Sequence, residues 1–307
     1  MLGSLASLKR ALSGKGRSGL MATVFDRWPA IAFKRNWRLY VYESVELATF
    51  MIAACCASVW LFDPAYPILH LLPSSALRRL FMGIAMGTTA VLIIQSPFGK
   101  RSGAHFNPAI TFTYFRLGKI GTWDTIFYMT FQFLGGVYGV GLSAICLGKS
   151  LAGPSVDYAV TVPGRHGTTA AFMAECFMAA LLMAVVLWFS SRPAFSKYTS
   201  YLVGILITFY VLILAPVSGF SINPARTVGS AVFAGLWTAA WLYFVAPVLG
   251  MMVAAEVHLR VYGIESILCA KLYPDPDYPC SFRCHYPGHR HRYQTDFPLA
   301  SEQNVIS

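Results

Sequence analysis

The chain has 307 residues, of which 56% are hydrophobic and only 12% are charged. Soluble domains carry about 25% charged residues, so half that share, together with long apolar runs, argues against a soluble α/β core. The formal net charge of +11 does not require a nucleic-acid partner, because most basic residues lie outside the apolar runs, where membrane topology accounts for them.

The first 39 residues form a basic arm. They contain eight lysines and arginines and a single acid, Asp26. A cleavable signal peptide needs an apolar stretch directly after its basic region, and none precedes Val41, so we expect no such peptide. We interpret residues 1–39 as a cytoplasmic arm that anionic lipid headgroups can attract.

Six apolar segments follow the arm, each close to the ~20 residues that span ~30 Å of hydrocarbon as a helix. They are residues 40–62, 80–96, 123–147, 168–190, 199–217 and 237–260. An even number of crossings returns the chain to its starting side, and lysine and arginine concentrate in the segments on that side, so both termini are predicted to be cytoplasmic. The crossings define a membrane domain over residues 40–262, for which the plasma membrane is the default location.

One motif occurs twice in the chain. Residues 102–112 read SGAHFNPAITF and residues 218–228 read SGFSINPARTV. Each copy lies between two crossings, and the first crossing of each half contains a glutamate, Glu46 or Glu175. Because each half has three crossings, an odd number, the second half is inverted relative to the first. Inverted repeats of this kind place the working site at the midplane between the halves.

Each motif predicts a helix that begins at its Asn-Pro, because Asn is a favoured N-cap and Pro a favoured first helical residue. The first helix would run from Asn107 to about residue 117, and the second from Asn223 to about residue 233. Such a helix is ~16 Å long, about half of a bilayer. Two half-helices from opposite faces would meet at their tips, and irregular backbone at that depth is tolerated only within protein or beside a water-filled cavity. The motifs therefore predict a pore, and its residues are Asn107, Pro108, Ala109, Asn223, Pro224 and Ala225.

Asn107 and Asn223 would present two hydrogen-bond donors to this pore. A capping asparagine accepts a backbone N–H with its side-chain oxygen, which leaves its NH2 free to face the pore. Two such donors would bind the oxygen of a passing water and turn its hydrogens along the pore, so that it cannot relay a proton. The partial positive charges of the two helix N-termini, roughly +0.5 each, would repel cations and protons as well.

This pattern resembles the aquaporin (major intrinsic protein) family over about residues 40–262. The resemblance implies an all-α membrane protein with six transmembrane helices, two re-entrant half-helices and an inverted internal repeat. It also implies a homotetramer with one pore per subunit, in which Glu46 and Glu175 are buried supports that bind the backbone of the half-loops. We expect no cofactor and no enzyme activity, because the membrane segments contain no nucleophile–base pair.

A charged residue, Arg226, follows the second Asn-Pro-Ala directly, where the first copy has Ile110. A charge at that depth is expensive unless it serves a purpose, and the first copy shows that the half-helix does not need it. In the resembling family this arginine belongs to the narrowest ring of the pore, where it donates to solutes and repels cations. We assign the same role to Arg226.

The other ring positions follow from their spacing to the second motif. They are Phe220, Val211 and, in the second crossing, Met86, or Gly87 if the loop before the first motif has no insertion. Water-selective relatives typically carry a histidine at the Val211 position, a small residue at the Phe220 position and an aromatic residue in the second crossing. A ring of Met86, Val211, Phe220 and Arg226 is therefore expected to be less polar and wider than a strict water filter. Met86 and Val211 could instead face lipid or the core.

The expected function is a passive channel for water and other small neutral solutes such as glycerol, urea, ammonia or hydrogen peroxide, excluding protons and ions. Phe220 resembles the glycerol-conducting branch, whereas Thr227, where glycerol facilitators usually carry Asp, and the short connection over residues 215–219 do not. One alternative is a secondary transporter, which would need an ion-binding carboxylate or a moving gate at the midplane. Another is a non-conducting membrane scaffold. Membrane lipids are the other expected partners, and nucleic acid is not one.

Residues 263–307 form the predicted cytoplasmic tail. Its candidate metal ligands are Cys280, Cys284, His285, His289 and His291, with Cys269 nearby. C-x3-C followed directly by His is not a common zinc-finger spacing, so we assign no metal. We interpret the stretch as a polar tail that packs against the channel base or binds lipid headgroups.

Overall fold

The computed structural model describes residues 29–288. Its eight main helices in chain order are α1 (Pro29–Phe62), α2 (Ser75–Gln95), α3 (Pro108–Arg116), α4 (Thr122–Leu147), α5 (Gly167–Ser190), α6 (Ser196–Ser218), α7 (Pro224–Ala234) and α8 (Ala240–Tyr262). Shorter helical turns lie at Ile68–Leu71, Pro97–Ser102, Lys149–Ala152, Asp157–Ala159 and Ile264–Ser266. Six of the main helices are long and apolar enough to cross a membrane, and α3 and α7 are the half-length helices that follow the repeated motif. The predicted fold class is confirmed.

Helix α1 begins well before the predicted start of the first crossing at residue 40. Its polar first turns are fixed against the start of α4, where the Asp124 carboxylate accepts hydrogen bonds from Asn36 (2.9 Å) and Tyr40 (2.5 Å) and pairs with Arg35 (3.3 Å). Hydropathy does not detect where this helix begins, because Lys34, Arg35 and Arg38 interrupt the apolar residues of its first turns. Residues 29–39 therefore belong to the helical body, and the rest of the basic arm lies outside the described residues.

Helix α6 contains a π-helical turn, Tyr210–Leu214, that separates an α-helical segment from its last turn, Ala215–Ser218. Pro216 lies just after this turn, and a proline removes the N–H that would bind the carbonyl four residues earlier, that of Leu212. The Nε of Arg79 in α2 donates to that carbonyl instead, at 3.2 Å. A partly buried arginine contact thus compensates for the proline and fixes α6 just before the second motif.

Helices α2 and α6 touch through their backbones. A Cβ added to Gly87 would lie 2.3 Å from the Gly204 carbonyl oxygen, and one added to Gly83 would lie 2.6 Å from that of Thr208. The Thr208 hydroxyl donates to the Gly83 carbonyl across the same contact, at 3.0 Å. Small residues at such a crossing let two membrane helices approach closely. Gly87 is therefore used for helix packing, which leaves Met86 as the candidate ring residue in α2.

The half-helix α7 packs in the same way on α4. A Cβ at Gly136 would lie 2.5 Å from the Ala225 carbonyl oxygen, and one at Gly229 would lie 2.6 Å from the Gly136 carbonyl oxygen. Neither position has room for a side chain. Helix α4 therefore supports the second motif directly, with no intervening side-chain layer.

Residues 264–288 fold back onto the loop before the first motif. The N–H of Leu272 donates to the Gly103 carbonyl (3.0 Å), and the N–H of Arg283 donates to the Lys119 carbonyl (3.1 Å). The Phe282 ring is nearly parallel to the His105 imidazole, with ring centroids 5.8 Å apart. The segment buries several apolar side chains, so this part of the tail is less polar than the sequence interpretation assumed.

We expect Gly136→Val to push α7 away from α4, because the new side chain must displace backbone rather than a flexible side chain. Overpacking of this kind costs about 1–3 kcal/mol, so the Tm of the detergent-solubilised protein should fall. Gly153→Val is the matched control, because its Cβ would meet only ordinary contacts at 3.5 Å and its φ is not positive. Equal Tm values for the two variants would contradict the close contact between Gly136 and the backbone of α7.

Candidate functional site

The two half-helices are capped by the asparagines of the repeated motif. The side-chain oxygen of Asn107 accepts the N–H of Ala109 at 2.9 Å, and that of Asn223 accepts the N–H groups of Ala225 (3.0 Å) and Arg226 (3.2 Å). Both asparagines have extended backbone angles and precede the proline that opens their helix. This is the geometry in which Asn is favoured as an N-cap and Pro as the first helical residue.

The amide groups of the two asparagines cross between the halves. The Nδ2 of Asn107 donates to the Ile222 carbonyl at 2.8 Å, and the Nδ2 of Asn223 donates to the Phe106 carbonyl at 2.7 Å. The NH2 groups are therefore not wholly free, as the sequence interpretation assumed, because carbonyls at membrane depth need a donor from the protein. One hydrogen of each amide remains, and it has no partner within residues 29–288.

Both loops before the motifs have the same unusual backbone. Positive φ values occur at Gly103, Ala104 and Phe106 in the first copy and at Gly219, Phe220 and Ile222 in the second. A non-glycine residue in this region is strained, and such strain persists only where the surrounding structure holds it. The loops therefore depend on groups that bind their rearranged N–H donors.

In the second half this group is Glu175 of α5. Its Oε1 accepts the Ser218 hydroxyl (2.8 Å) and the N–H of Ser221 (2.9 Å), and its Oε2 accepts the N–H of Ile222 (2.5 Å). One buried carboxylate thus binds three donors of the loop.

In the first half two glutamates share this work. Glu43 accepts the N–H groups of His105 (3.0 Å) and Phe106 (2.6 Å), whereas Glu46 accepts only the Ser102 hydroxyl (2.7 Å). The expectation that Glu46 binds loop backbone is therefore wrong, and Glu43 is the residue that sequence reasoning missed. The repeat could not reveal it, because the second copy has Phe172 at the corresponding place. The sequence signal that could have identified Glu43 is its position one helical turn before Glu46, on the same face of the first crossing.

Each loop is also held by a tyrosine. The Tyr128 hydroxyl of α4 donates to the Ser102 carbonyl at 2.7 Å, and the Tyr243 hydroxyl of α8 donates to the Ser218 carbonyl at 2.6 Å. The two tyrosines occupy equivalent places in the two halves. They add a second pair of supports that the sequence comparison did not identify.

The guanidinium of Arg226 is buried and forms no hydrogen bond with the part of the chain that the structure describes. The residue is 9% exposed, and its side chain makes no hydrogen bond within residues 29–288, with Nη1 fully buried. Buried polar atoms are normally hydrogen-bonded, so these donors point to a group that is not part of the chain.

Met86, Val211 and Phe220 are also buried, and all three lie in the main core rather than on the lipid-facing surface. Val211 is the second residue of the π-helical turn, and the Phe220 ring lies 6.1 Å, centroid to centroid, from that of Tyr210 beside it. The structure thus brings the end of α6 next to the loop that carries Phe220. It removes the lipid-facing alternative for Met86 and Val211.

Residues 31–258 match the major intrinsic protein family. The chain belongs to this family. The match covers the eight main helices almost completely and leaves out the start of α1, the end of α8 and the tail.

Two relatives illustrate the extent of the similarity. Aquaporin A of Dictyostelium discoideum is 31% identical over 115 residues, and the match spans 37% of this chain and 39% of that protein. The X-ray structure of the aquaglyceroporin from Plasmodium falciparum superimposes with a TM-score of 0.62 at 18% identity, covering 75% of this chain and 98% of that one. At 18% identity this structural match shows that the two chains share a fold.

The tail beyond the major intrinsic protein match brings three cysteines together. The Sγ atoms of Cys269, Cys280 and Cys284 lie within 4.8 Å of one another, and all three residues are buried. His285 is exposed and does not join them, while His289 and His291 lie outside the described residues. Burial raises the pKa of Cys269 well above its ordinary value and that of Cys280 to about 12.

We expect Glu43→Gln to destabilise the protein more than Glu46→Gln. An amide at position 43 keeps one acceptor oxygen and so leaves a buried backbone N–H unsatisfied, at a cost of about 1–3 kcal/mol. An amide at position 46 can still accept from the Ser102 hydroxyl. Tm values of the two detergent-solubilised variants test this, and a larger loss for Glu46→Gln would contradict the assignment.

Proposed function

We propose that the chain is a passive channel for water and other small neutral solutes that excludes protons and ions. The observation that carries this proposal is the pair of crossed amides, Asn107 and Asn223. Each amide is fixed at both ends, by its own helix through the side-chain oxygen and by the opposite loop through one N–H. The remaining N–H of each side chain is thus held at the tip of a half-helix.

Two fixed donors at the meeting point of the half-helices can bind the oxygen of one passing molecule. A water bound this way turns its hydrogens along the pore and cannot accept a proton from the next water. The N-terminal ends of α3 and α7 add partial positive charge at the same point. Together these groups admit neutral hydrogen-bonding solutes and oppose cations and protons.

We assign the selectivity filter to Met86, Val211, Phe220 and Arg226. Arg226 supplies a buried guanidinium whose Nη1 has no partner within residues 29–288, and the other three residues supply an apolar wall. A filter with one polar side accepts water and also solutes with an apolar edge, such as glycerol or urea, and small neutral molecules such as ammonia and hydrogen peroxide.

A secondary transporter is less well supported, because it would need a carboxylate with free oxygens near the midplane. Both oxygens of Glu175 and both oxygens of Glu43 already bind loop donors. Glu46 retains one buried oxygen without a partner within residues 29–288. We therefore infer structural roles for Glu175 and Glu43, and Glu46 is the one of the three that a transporter mechanism would have to use.

We further propose a homotetramer in the plasma membrane with both termini in the cytoplasm. The positive-inside distribution of lysine and arginine supports this orientation. Large apolar side chains are exposed on the outer faces of the long helices, for example Ile145, Phe177 and Val253, and such faces suit either lipid or a neighbouring subunit.

Proteoliposomes that contain the chain should shrink several-fold faster than empty vesicles under an osmotic gradient, as measured by stopped-flow light scattering. Arg226→Ala should retain water flux but admit protons, because the charge at the filter is lost, and an entrapped pH-sensitive dye reports this. Arg116→Ala is the matched control, because Arg116 is half exposed and pairs with Glu256 on the surface. Wild-type flux at the level of empty vesicles would contradict the channel. Proton exclusion by Arg226→Ala would contradict only the filter.

Val211→His should lower glycerol flux relative to water flux. The larger, polar ring narrows the filter and replaces part of its apolar wall. Re-swelling after a glycerol gradient, compared with shrinkage in an impermeant osmolyte, gives the ratio of the two rates. An unchanged ratio would place Val211 outside the filter. Val257→His, on the exposed face of α8, is the control.

A further inference from the structure

The tail cysteines form a compact site. Cys269 and Cys280 have their sulfur atoms 3.4 Å apart, and Cys284 completes a triangle in which all sulfurs lie within 4.8 Å of one another. The N–H of His285 donates to the Leu268 carbonyl at 2.8 Å, which holds the chain around Cys284 beside the chain around Cys269. The residues come from a segment with little regular structure, so the site is built by tail folding rather than by a helix face.

Two buried lysines adjoin the sulfurs. Lys271 is 0% exposed and donates to the carbonyls of Lys100 (2.7 Å), Tyr278 (3.2 Å) and Pro279 (3.1 Å). Its charge lies close enough to Cys280, and that of Lys119 close enough to Cys269 and Cys284, to interact electrostatically. Neither lysine forms an ion pair within residues 29–288, although buried charges are normally paired.

These lysines distinguish the possible states of the three sulfurs. A disulfide between Cys269 and Cys280 would be neutral and would leave one cysteine over. The ammonium groups would then have only acids beyond ion-pair distance as counter-charges, Glu265 for Lys119 and Asp275 for Lys271. Three thiolates around a monovalent or divalent cation carry a net charge of about −2 or −1. Two neighbouring ammonium groups would stabilise that charge. The N–H of Tyr286, which donates to the Cys284 sulfur at 3.4 Å, would do the same.

We propose that Cys269, Cys280 and Cys284 bind one thiophilic metal ion, Zn²⁺ or Cu⁺, as thiolates. On binding, each thiol releases its proton to solvent and each sulfur donates an electron pair to the ion, so the ion keeps its oxidation state and no bond in the backbone changes. Cu⁺ is satisfied by three thiolates, whereas Zn²⁺ takes a further ligand such as water. The ion would tie the tail together where it covers the first loop, since Ala270, next to Cys269, accepts from His105 at 2.6 Å.

The test uses the full chain, purified with a non-histidine affinity tag and dialysed under reducing conditions against Zn²⁺ alone or Cu⁺ alone. Mass spectrometry of the eluted metal should find about one ion per chain in the wild type. Cys269→Ser, Cys280→Ser and Cys284→Ser should each reduce the metal content to background. Cys146→Ser, an exposed thiol at the end of α4, is the matched control and should retain the ion. The dialysis, Zn²⁺ or Cu⁺, after which the wild type retains about one ion per chain identifies the metal.

Three results would overturn the proposal. They are a wild type that binds neither ion, a metal content unchanged in all three tail variants, and a Cys269–Cys280 disulfide found by peptide mapping in protein kept reduced. If the variants fail to fold, Co²⁺ titration of the wild type decides, because cobalt bound by thiolates gives intense charge-transfer absorption. Its appearance, and its loss when Zn²⁺ is added, supports the site. Its absence rejects the zinc form, and the Cu⁺ dialysis then decides alone.

Discussion

Backbone polar groups at the middle of a membrane have no water to bind, and the architecture of this protein depends on how the two loops satisfy theirs. Buried carboxylates take the N–H groups of the loops, tyrosine hydroxyls bind the carbonyls of Ser102 and Ser218, and the two asparagine amides take the last carbonyl before each half-helix. Each of these donors and acceptors comes from a different helix. The loops therefore hold their strained backbone only when the helices around them are in place.

The two halves meet this requirement differently. In the second half Glu175 alone binds the serine hydroxyl and both backbone N–H groups, whereas in the first half Glu46 takes the serine and Glu43 takes the backbone. Gln132 donates to Glu43 as well, at 2.8 Å, so the first loop is part of a larger polar network. Networks of this kind in a low-dielectric interior couple their members, and the first loop should respond to changes on more helices than the second.

The helices and the N-terminal ends of the two half-helices could be predicted from the sequence. Long apolar runs, the Asn-Pro caps and the repeat depend on local chemistry, which a single sequence displays. The sequence did not predict the role of Glu43, the helical start of α1 at its charged residues or the folding of the tail, because each depends on a partner far along the chain. Asp124 binds the first turns of α1, and His105 and Gly103 give the tail a surface to cover. The same limit applies to the metal ligands, because Cys269 joins Cys280 and Cys284 only after the tail has folded.

The two halves also differ in the segment that packs over the loop before each motif. The second loop is covered by the connection between α4 and α5. There the N–H of Gly164 donates to the Val217 carbonyl at 2.9 Å, and the hydroxyl of Thr161 lies 3.1 Å from that of Thr227.

Within residues 29–288 no connection between two main helices hydrogen-bonds to the first loop through its backbone, and the tail takes that place through Leu272, Ala270 and Phe282. A segment inside the helical domain is fixed at both ends by helices, whereas the tail segment 264–288 follows a helix and precedes none within the described residues. Its docking on the first loop therefore needs contacts of its own. The Lys100–Asp275 ion pair (2.9 Å) and the buried Lys271 supply two of them, and a metal ion held by the three cysteines would supply a third, directly beside the residues that cover the loop.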